Sequence, residues 1–374
     1  MITEPISVYL HVPYCIKKCN YCDFCSVPEG KSGVPEAYIE RLTDEISAYK
    51  SDNKIPASTL YFGGGTPSLL TPKQLEKILS ALDLVFDFQK DFEFTIEANP
   101  GTVTEEKLRG FNLLGANRLS IGMQSKNASE LLALGRIHTH GEFAFAFAMA
   151  KNAGFQNISC DVMYGIPYQT KESFKDTLTS VIELNPEHVS VYGLMIEEGT
   201  PFYKAKDTLP LPTEDEECEM YYLADKLLSD AGYTHYEISN YAHFGKESQH
   251  NLKYWHAGEY LGFGASAASY YLGKRFVNTD DISEYLSHRG ASYKVCDTVS
   301  SREAEFEYSM LALRLKEGIS FSDYREKFGK DFKDGRGEVI DKLLKLGLIS
   351  LDENSISLTT RGFYVSNSIL CELL

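Results

Sequence analysis

The sequence predicts an α/β protein: a parallel sheet of about six strand–helix units, followed by a small α+β module of winged-helix type. Three observations carry this expectation. Short β-branched or aromatic runs alternate with amphipathic segments through the first two-thirds of the chain, the pattern of βαβ units. Residues of special chemistry stand directly after the strand runs: a cysteine loop, Gly-Gly-Gly-Thr-Pro, Glu97, Gln124 and Asp161. After about Val299 the pattern turns to capped helices and one hairpin. The repeat alone allows an open doubly wound sheet or a (βα)6 TIM-type barrel. Special residues gathered at strand C-terminal ends favour the barrel, complete or partial, because those ends converge on one mouth.

Strands are expected at Ile6–Val12, Thr59–Gly63, Phe92–Glu97, Arg118–Gly122, Ile158–Tyr164 and Val189–Leu194. Between them, Ile39, Leu42, Ile46 and Tyr49 recur at helical spacing. Thr71-Pro72 followed by Gln74 reads as an N-cap, a proline at the first helical position and a capping-box partner. A helix from about Glu142 closes at Asn152-Ala153-Gly154. Thr213 with Glu216 opens another, running to about Ala231. From Tyr233 to Tyr271 the chain is aromatic and glycine-rich with weak periodicity. Ser300 with Glu303 opens a helix marked by Phe306, Met310, Leu313 and Leu315, and a second covers about Glu338–Leu346. GLISLDENSISLTTRG reads as a hairpin. Three segments result: a core at 1–232, an aromatic extension at 233–299 and a C-terminal module at 300–374.

The 374 residues carry a net charge of −16. Nucleic acid is therefore not the expected partner, because phosphate-backbone binders show a basic face. No run of ~18 apolar residues occurs, and MITEPISVYL lacks the features of a secretory signal. A cytoplasmic protein is expected, and a reducing cytosol disfavours disulfides. Cys160, Cys218, Cys296 and Cys371 are scattered, as buried or incidental thiols are.

The other four cysteines fall within CIKKCNYCDFC, residues 15–25. Cys15, Cys19 and Cys22 are spaced C-x3-C-x2-C on a loop between a strand and a helix. Three close thiolates can hold three irons of a [4Fe–4S] cube and leave the fourth iron open. Structural zinc is the alternative, with Cys25 or His11 completing four donors. Gly63-Gly64-Gly65-Thr66-Pro67 lets backbone approach a ligand closely, or is a plain tight turn. Glu97 ends FTIEANP, where a carboxylate can accept both hydrogen bonds of a ribose diol. A loose GxGxxA at Gly262–Ala267 has no βαβ unit around it and is not a dinucleotide fingerprint.

The C-x3-C-x2-C spacing, with Tyr21 before the third cysteine, resembles the radical SAM signature. YLHVPYC and the DF after Cys22 resemble its coproporphyrinogen III oxidase-like branch, and the likeness covers essentially the whole chain. The resemblance implies a [4Fe–4S] cluster on Cys15, Cys19 and Cys22. It implies S-adenosylmethionine (SAM) held by Gly64, Gly65, Thr66, Glu97, Gln124, Arg136 and Asp161, lined by Tyr9 and Tyr21, with Met195 also carried over. The implied chemistry is one-electron cleavage of the SAM S–C5′ bond, with the protein orienting the cofactors and excluding water.

Two family branches share this core: oxygen-independent coproporphyrinogen III dehydrogenases and heme chaperones of the HemW type. The dehydrogenases carry a long segment before the first strand, whereas eight residues precede Tyr9 here. They read C-x3-C-x2-C-x-C, whereas Phe24 occupies that last position here and Cys25 follows as an extra thiol. His250-Asn251-Leu252-Lys253-Tyr254-Trp255 resembles the chaperones' HNxxYW. His250, Asn251, Tyr254 and Trp255 are therefore heme candidates, since neutral imidazole ligates heme iron and aromatic faces pack on a macrocycle. His250 and Trp255 could equally be a satisfied structural pair, and His11 and His256 are other conceivable ligands. The resemblance implies a heme chaperone handing heme to apo-heme proteins such as membrane respiratory enzymes. Such a protein would touch a membrane only through its acceptors, and a homodimer is among the expected assemblies. The dehydrogenase remains the enzymatic alternative, and a third reading makes the C-terminal domain a protein-interaction module.

Overall fold

A computed structural model describes residues 4–30, 32–291 and 293–374. Its first strands are β1 (Ile6–Val12), β2 (Tyr14–Cys15), β3 (Val27–Pro28), β4 (Ile55–Gly64), β5 (Phe86–Ala98), β6 (Arg118–Gln124), β7 (Ile158–Tyr164) and β8 (His188–Gly193). They continue as β9 (Thr234–Glu237), β10 (Asn240–Ala242), β11 (Tyr260–Phe263), β12 (Ala268–Tyr271), β13 (Lys274–Val277) and β14 (Val295–Thr298). Twelve of them form one sheet, ordered β14-β13-β12-β11-β1-β4-β5-β6-β7-β8-β10-β9. The six expected strands stand at its centre, parallel and in chain order. The outermost strands do not meet, so this is the partial form of the expected barrel.

Strict alternation along the strands explains the sheet's two faces. Val8, Leu10, Leu60, Phe62, Phe94, Ile96, Leu119, Ile121 and Val162 are fully buried. Each contributes about 1.5–3 kcal/mol by burial. The alternate positions are polar: Ser7, Thr59, Thr95, Ser120, Ser159 and Ser190, also buried. Their hydroxyls pair with one another and with histidines, as in Thr59–Ser7 at 2.7 Å and Ser159–His188 Nδ1 at 2.8 Å. This polar face ends upward in Glu97 and Asp161.

The capping boxes at Thr71, Thr213 and Ser300 form as expected. Thr139 with Glu142 adds one, so that helix starts at His140 rather than at Glu142. Two strands are longer than their hydrophobic runs suggested. β4 begins at Ile55 and β5 at Phe86, because these flanks pair with each other (Ile55↔Phe86, Ala57↔Phe88). The larger difference lies in the stretch read as weakly periodic. β11 pairs in parallel with β1, and the β9–β10 hairpin adds antiparallel to β8. Strands of three or four residues are too short to display alternation. Gly262 sits where an added Cβ would lie 2.2 Å from the Ala268 carbonyl oxygen. The loose glycine motif is thus a close backbone approach.

The C-terminal module packs helices Ser301–Ala312, Phe321–Phe328 and Gly337–Lys345 against β15 (Ile319–Ser320), β16 (Ile349–Leu351) and β17 (Ser355–Leu358). Its sheet runs β15-β17-β16, with the expected hairpin at β16–β17. Leu313, Ile319, Phe321, Tyr324, Phe332 and Ile356 form its own core. Backbone hydrogen bonds from Ile238 N–H to the Arg314 carbonyl and from Lys316 N–H to the Tyr236 carbonyl, each 3.0 Å, join it to the sheet.

Candidate functional site

A cavity of about 400 Å³ opens at the C-terminal ends of the central strands. Cys15, Cys19, Cys22, Tyr21, Gly64, Gly65, Thr66, Glu97, Gln124, Arg136 and Asp161 all line it. The sheet thereby brings together side chains spread over nearly 150 residues of sequence.

The cysteine loop leaves β1, and β2 pairs with β3 to close it at its base. Two further strings hold it. Asn20 N–H and Nδ2–H donate to the Leu134 and Ala133 carbonyls at 2.9 and 2.8 Å, and Phe202 N–H donates to Asn20 O at 3.0 Å. His11 Nε2 meets the Cys25 carbonyl at 2.8 Å. All eight cysteines are free. Thr66 Oγ1 donates to Cys15 Sγ at 3.4 Å, and Arg136 Nη1 donates to Cys19 Sγ at 3.6 Å. Burial pushes the Cys15 and Cys22 thiols up. Among the described residues, no three His, Cys, Asp or Glu side chains stand close enough to form a ready-made metal site.

The donor set nonetheless discriminates between the two expected metals. Cys25 does not line this cavity; its Sγ donates to the Asp280 carbonyl at 3.3 Å. His11 has both ring nitrogens engaged, with Tyr9 OH at 3.1 Å and the Cys25 carbonyl. No fourth donor therefore faces the three thiols from either expected source. That fits a three-cysteine [4Fe–4S] centre better than four-coordinate zinc. Donors aimed at two sulfurs also favour the ligating thiolate form.

The remaining wall suits a polar organic cofactor. Gly64 takes φ +108°, and its N–H donates to Glu97 Oε2 at 3.2 Å. Tyr61 OH donates to Glu97 Oε1 at 2.8 Å. Burial, and then the charge of Asp161, push the Glu97 carboxyl up to about 7 against these two donors. Ser120 Oγ meets both Asp161 oxygens at 3.0 and 3.1 Å. Gln124 is held in the left-handed region at φ +66°, and its Oε1 is buried with no partner. An orphaned acceptor in a cavity wall is the mark of a missing donor, and SAM offers amino and hydroxyl donors. Arg136 is anchored by Asn99 Oδ1 and the Gly122 carbonyl.

Two expected SAM contacts fall elsewhere. Tyr9 is buried behind Gly63 and lines a second cavity. Met195 is 68% exposed beyond β8 and lines neither. Asn99, His138, Met163 and Tyr192 line the first cavity but escaped the sequence reading. Tyr192, at the end of β8, was open to the same strand-end argument that found Glu97 and Asp161. His138 was not, since it reaches the cavity from a loop.

The HNLKYW segment forms the helix Gln249–Trp255, which closes the foot of the sheet's polar face. His250 Nδ1 meets Thr59 Oγ1 at 2.7 Å and Nε2 meets Tyr254 OH at 2.8 Å. Its ring stacks on Tyr61 at 4.8 Å. Burial, then the charge of Arg118, lowers its pKa to about 3, so it is neutral. Both His250 ring nitrogens are thus already bonded within the fold, as in a satisfied structural pair. Its stacking partner is Tyr61; Trp255 lies instead near Arg314, with its Nε1–H unpartnered. Asn251 N–H caps onto Ser248 Oγ. His256 is exposed and bonded to Glu317 at 2.7 Å. Of the four heme candidates, Tyr254 alone lines the second cavity.

Residues 9–181 match the Radical SAM superfamily, and residues 299–365 match the HemN C-terminal domain. The chain is 36% identical to the heme chaperone HemW of Lactococcus lactis, over 100% of this chain and 98% of that one. It is 39% identical to heme chaperone HemW of Escherichia coli, over 98% and 97%. Among solved structures, the coproporphyrinogen III oxidase HemN of Escherichia coli superposes with a TM-score of 0.85. That match covers 99% of this chain and 90% of the other at 23% identity, a likeness of fold.

Proposed function

Because the chain belongs to the heme chaperone family of radical SAM proteins, we propose that it captures heme and hands it to apo-heme proteins, respiratory enzymes among them. The observation that carries this is full-length likeness to named heme chaperones, against fold likeness alone to the oxidase. No helix among the described residues is long and apolar enough to cross a membrane. We place the protein in the cytoplasm, meeting membranes through its acceptors.

When bound, a [4Fe–4S] cluster with SAM supplies one-electron chemistry. The chain's own part is positional. Cys15, Cys19 and Cys22 would hold the cluster. Glu97, Gln124 and Arg136 would orient SAM, and Tyr21 would shield the centre from water. Glu97 carries a pH signature. Its carboxylate, not its neutral form, accepts both donors of a diol, and it titrates near 7. SAM affinity should therefore rise with pH, by roughly tenfold between about pH 6 and 8 if ionisation alone governs it. Equilibrium dialysis checks this, and Glu97→Gln should flatten the profile.

Hemin titration of the anaerobically reconstituted chain tests the function. One heme per chain is expected. Absence of stoichiometric binding, or SAM-dependent turnover of coproporphyrinogen III, would overturn the reading. His250→Ala should leave the absorption bands of bound heme in place. It should cost about 1–3 kcal/mol of stability, through an unpaired Tyr254 hydroxyl and the loss of one of the two partners of the Thr59 hydroxyl.

A further inference from the structure

The second cavity measures about 910 Å³ and lies between the sheet and the C-terminal module. Its walls come from Asp23–Cys25 of the cysteine loop, from β1, β11, β12 and β13, and from helices Ser301–Ala312 and Phe321–Phe328. We propose that this cavity is where heme binds, with the Cys25 thiolate as iron ligand and Arg275 and Lys327 receiving the macrocycle's carboxylates. The inference rests on the heme-chaperone reading and gives it a site.

Size and surface come first. Tyr9, Tyr254, Tyr260, Tyr270, Tyr308 and Phe328 line the cavity, giving flat apolar faces for a flat ligand. Its volume lies toward the upper end of small-molecule sites. Among the histidine and cysteine side chains of the lining, one is left as iron ligand. His11 lines the wall with both ring nitrogens engaged, and Tyr254 OH is engaged by His250. Cys25 Sγ makes one hydrogen bond, to the Asp280 carbonyl at 3.3 Å. Its lone pairs are free, and the other three loop cysteines face the first cavity. On binding, the Fe–S bond forms, the thiol proton passes to solvent and the iron keeps its oxidation state.

Charge and backbone agree. Arg275 is paired with Glu307, yet its Nε–H is buried without a partner, leaving a donor for a carboxylate. Lys327 has no carboxylate partner among the described ion pairs and lies over the Tyr308 ring. Ala257 and Ser266, both in the lining, take φ +54° and +62°, strained for residues with a Cβ. Strain of this kind concentrates where a ligand is clamped. Phe24 lines both cavities, so this chamber and the cysteine site share a residue of the cysteine loop.

The test is hemin titration of the full chain after anaerobic cluster reconstitution, with iron and sulfide counted for each variant. Wild type should bind one heme and show the red-shifted ferrous–CO band of thiolate ligation. Cys25→Ser should lose that band and weaken binding roughly tenfold or more, with cluster iron unchanged. Ala304→Trp, which fills the chamber from its helical wall, should lose stoichiometric binding while keeping the wild-type melting profile. If wild type binds heme and both variants match it in spectrum and affinity, the site is wrong and the chaperone reading stands. If Cys25→Ser loses cluster iron instead, Cys25 belongs to the cluster and the site is wrong. If wild type binds no heme, both readings fall.

Discussion

Cys19→Ala, reconstituted anaerobically beside wild type, should hold iron and sulfide at background level and lose the broad visible absorption of a [4Fe–4S] centre. Cys15→Ala and Cys22→Ala should behave alike, whereas Cys25→Ala should keep its full complement. The contrast is the informative part. All four thiols lie within eleven residues and look interchangeable along the chain. In the fold three line the cavity at the strand ends, and the fourth faces the opposite chamber. Two thiolates cannot replace three, because a cube missing a protein ligand exposes a second iron to solvent and exchange. A different result, stoichiometric zinc in wild type that Cys25→Ala abolishes, would return the loop to a four-donor structural site. The Cys19 and Cys22 variants should remain folded, because both side chains are only partly buried and belong to no hydrophobic core.

Gly65→Ala should abolish measurable SAM binding and destabilise the protein by about 1–3 kcal/mol. A Cβ there would lie 2.8 Å from the carbonyl oxygens of both Val12 and Tyr14 and 2.9 Å from Tyr14 N. All three are backbone atoms of β1 and β2, which lead into the cysteine loop, so no side chain can swing aside. Gly65 N–H also donates to Val12 O at 2.9 Å, tying the two loops together. Relief of the clash must move the glycine loop away from the cysteine loop, opening the cavity between cluster and cofactor. Gly101→Ala is the control. Gly101 lines the same cavity, but its added Cβ would meet nothing within 4 Å. It should bind SAM and unfold in urea as wild type does. Equal behaviour of the two variants would show that the contact between the loops does not matter.

The glycine case marks how far one-dimensional reading reaches. A run of three glycines after a strand announces close approach. It does not say that Gly64 needs its positive φ while Gly65 needs room beside β1. The strands were legible for a related reason. A polar inner face and an apolar outer face impose alternation, visible wherever a strand runs five residues or more. β9 to β12 are shorter, and β10 and β11 are stabilised by pairing with β8 and β1, distant in sequence, so they left no periodic trace.

The first cavity was legible because residues at strand ends must converge once the strands are parallel. For Cys15, Glu97, Gln124 and Asp161, chain order and alternation imply position. Tyr9 and Met195 broke the rule. A side chain's depth along a strand decides which chamber it meets, and a residue past the strand end answers to its loop. HNLKYW was legible as a motif and not as a mechanism. The residue types that ligate iron are the types that satisfy a buried hydroxyl, and one of the two His250 partners, Thr59, lies 191 positions away. By itself, then, the sequence determined the superfamily and the order of the parallel strands. These follow from local spacing and period, which survive in one dimension. Tertiary structure decided the hydrogen-bond partners of His250, the separate facing of Cys25 and the second chamber. Each depends on which distant backbone supplies the next hydrogen bond, and no local pattern encodes that.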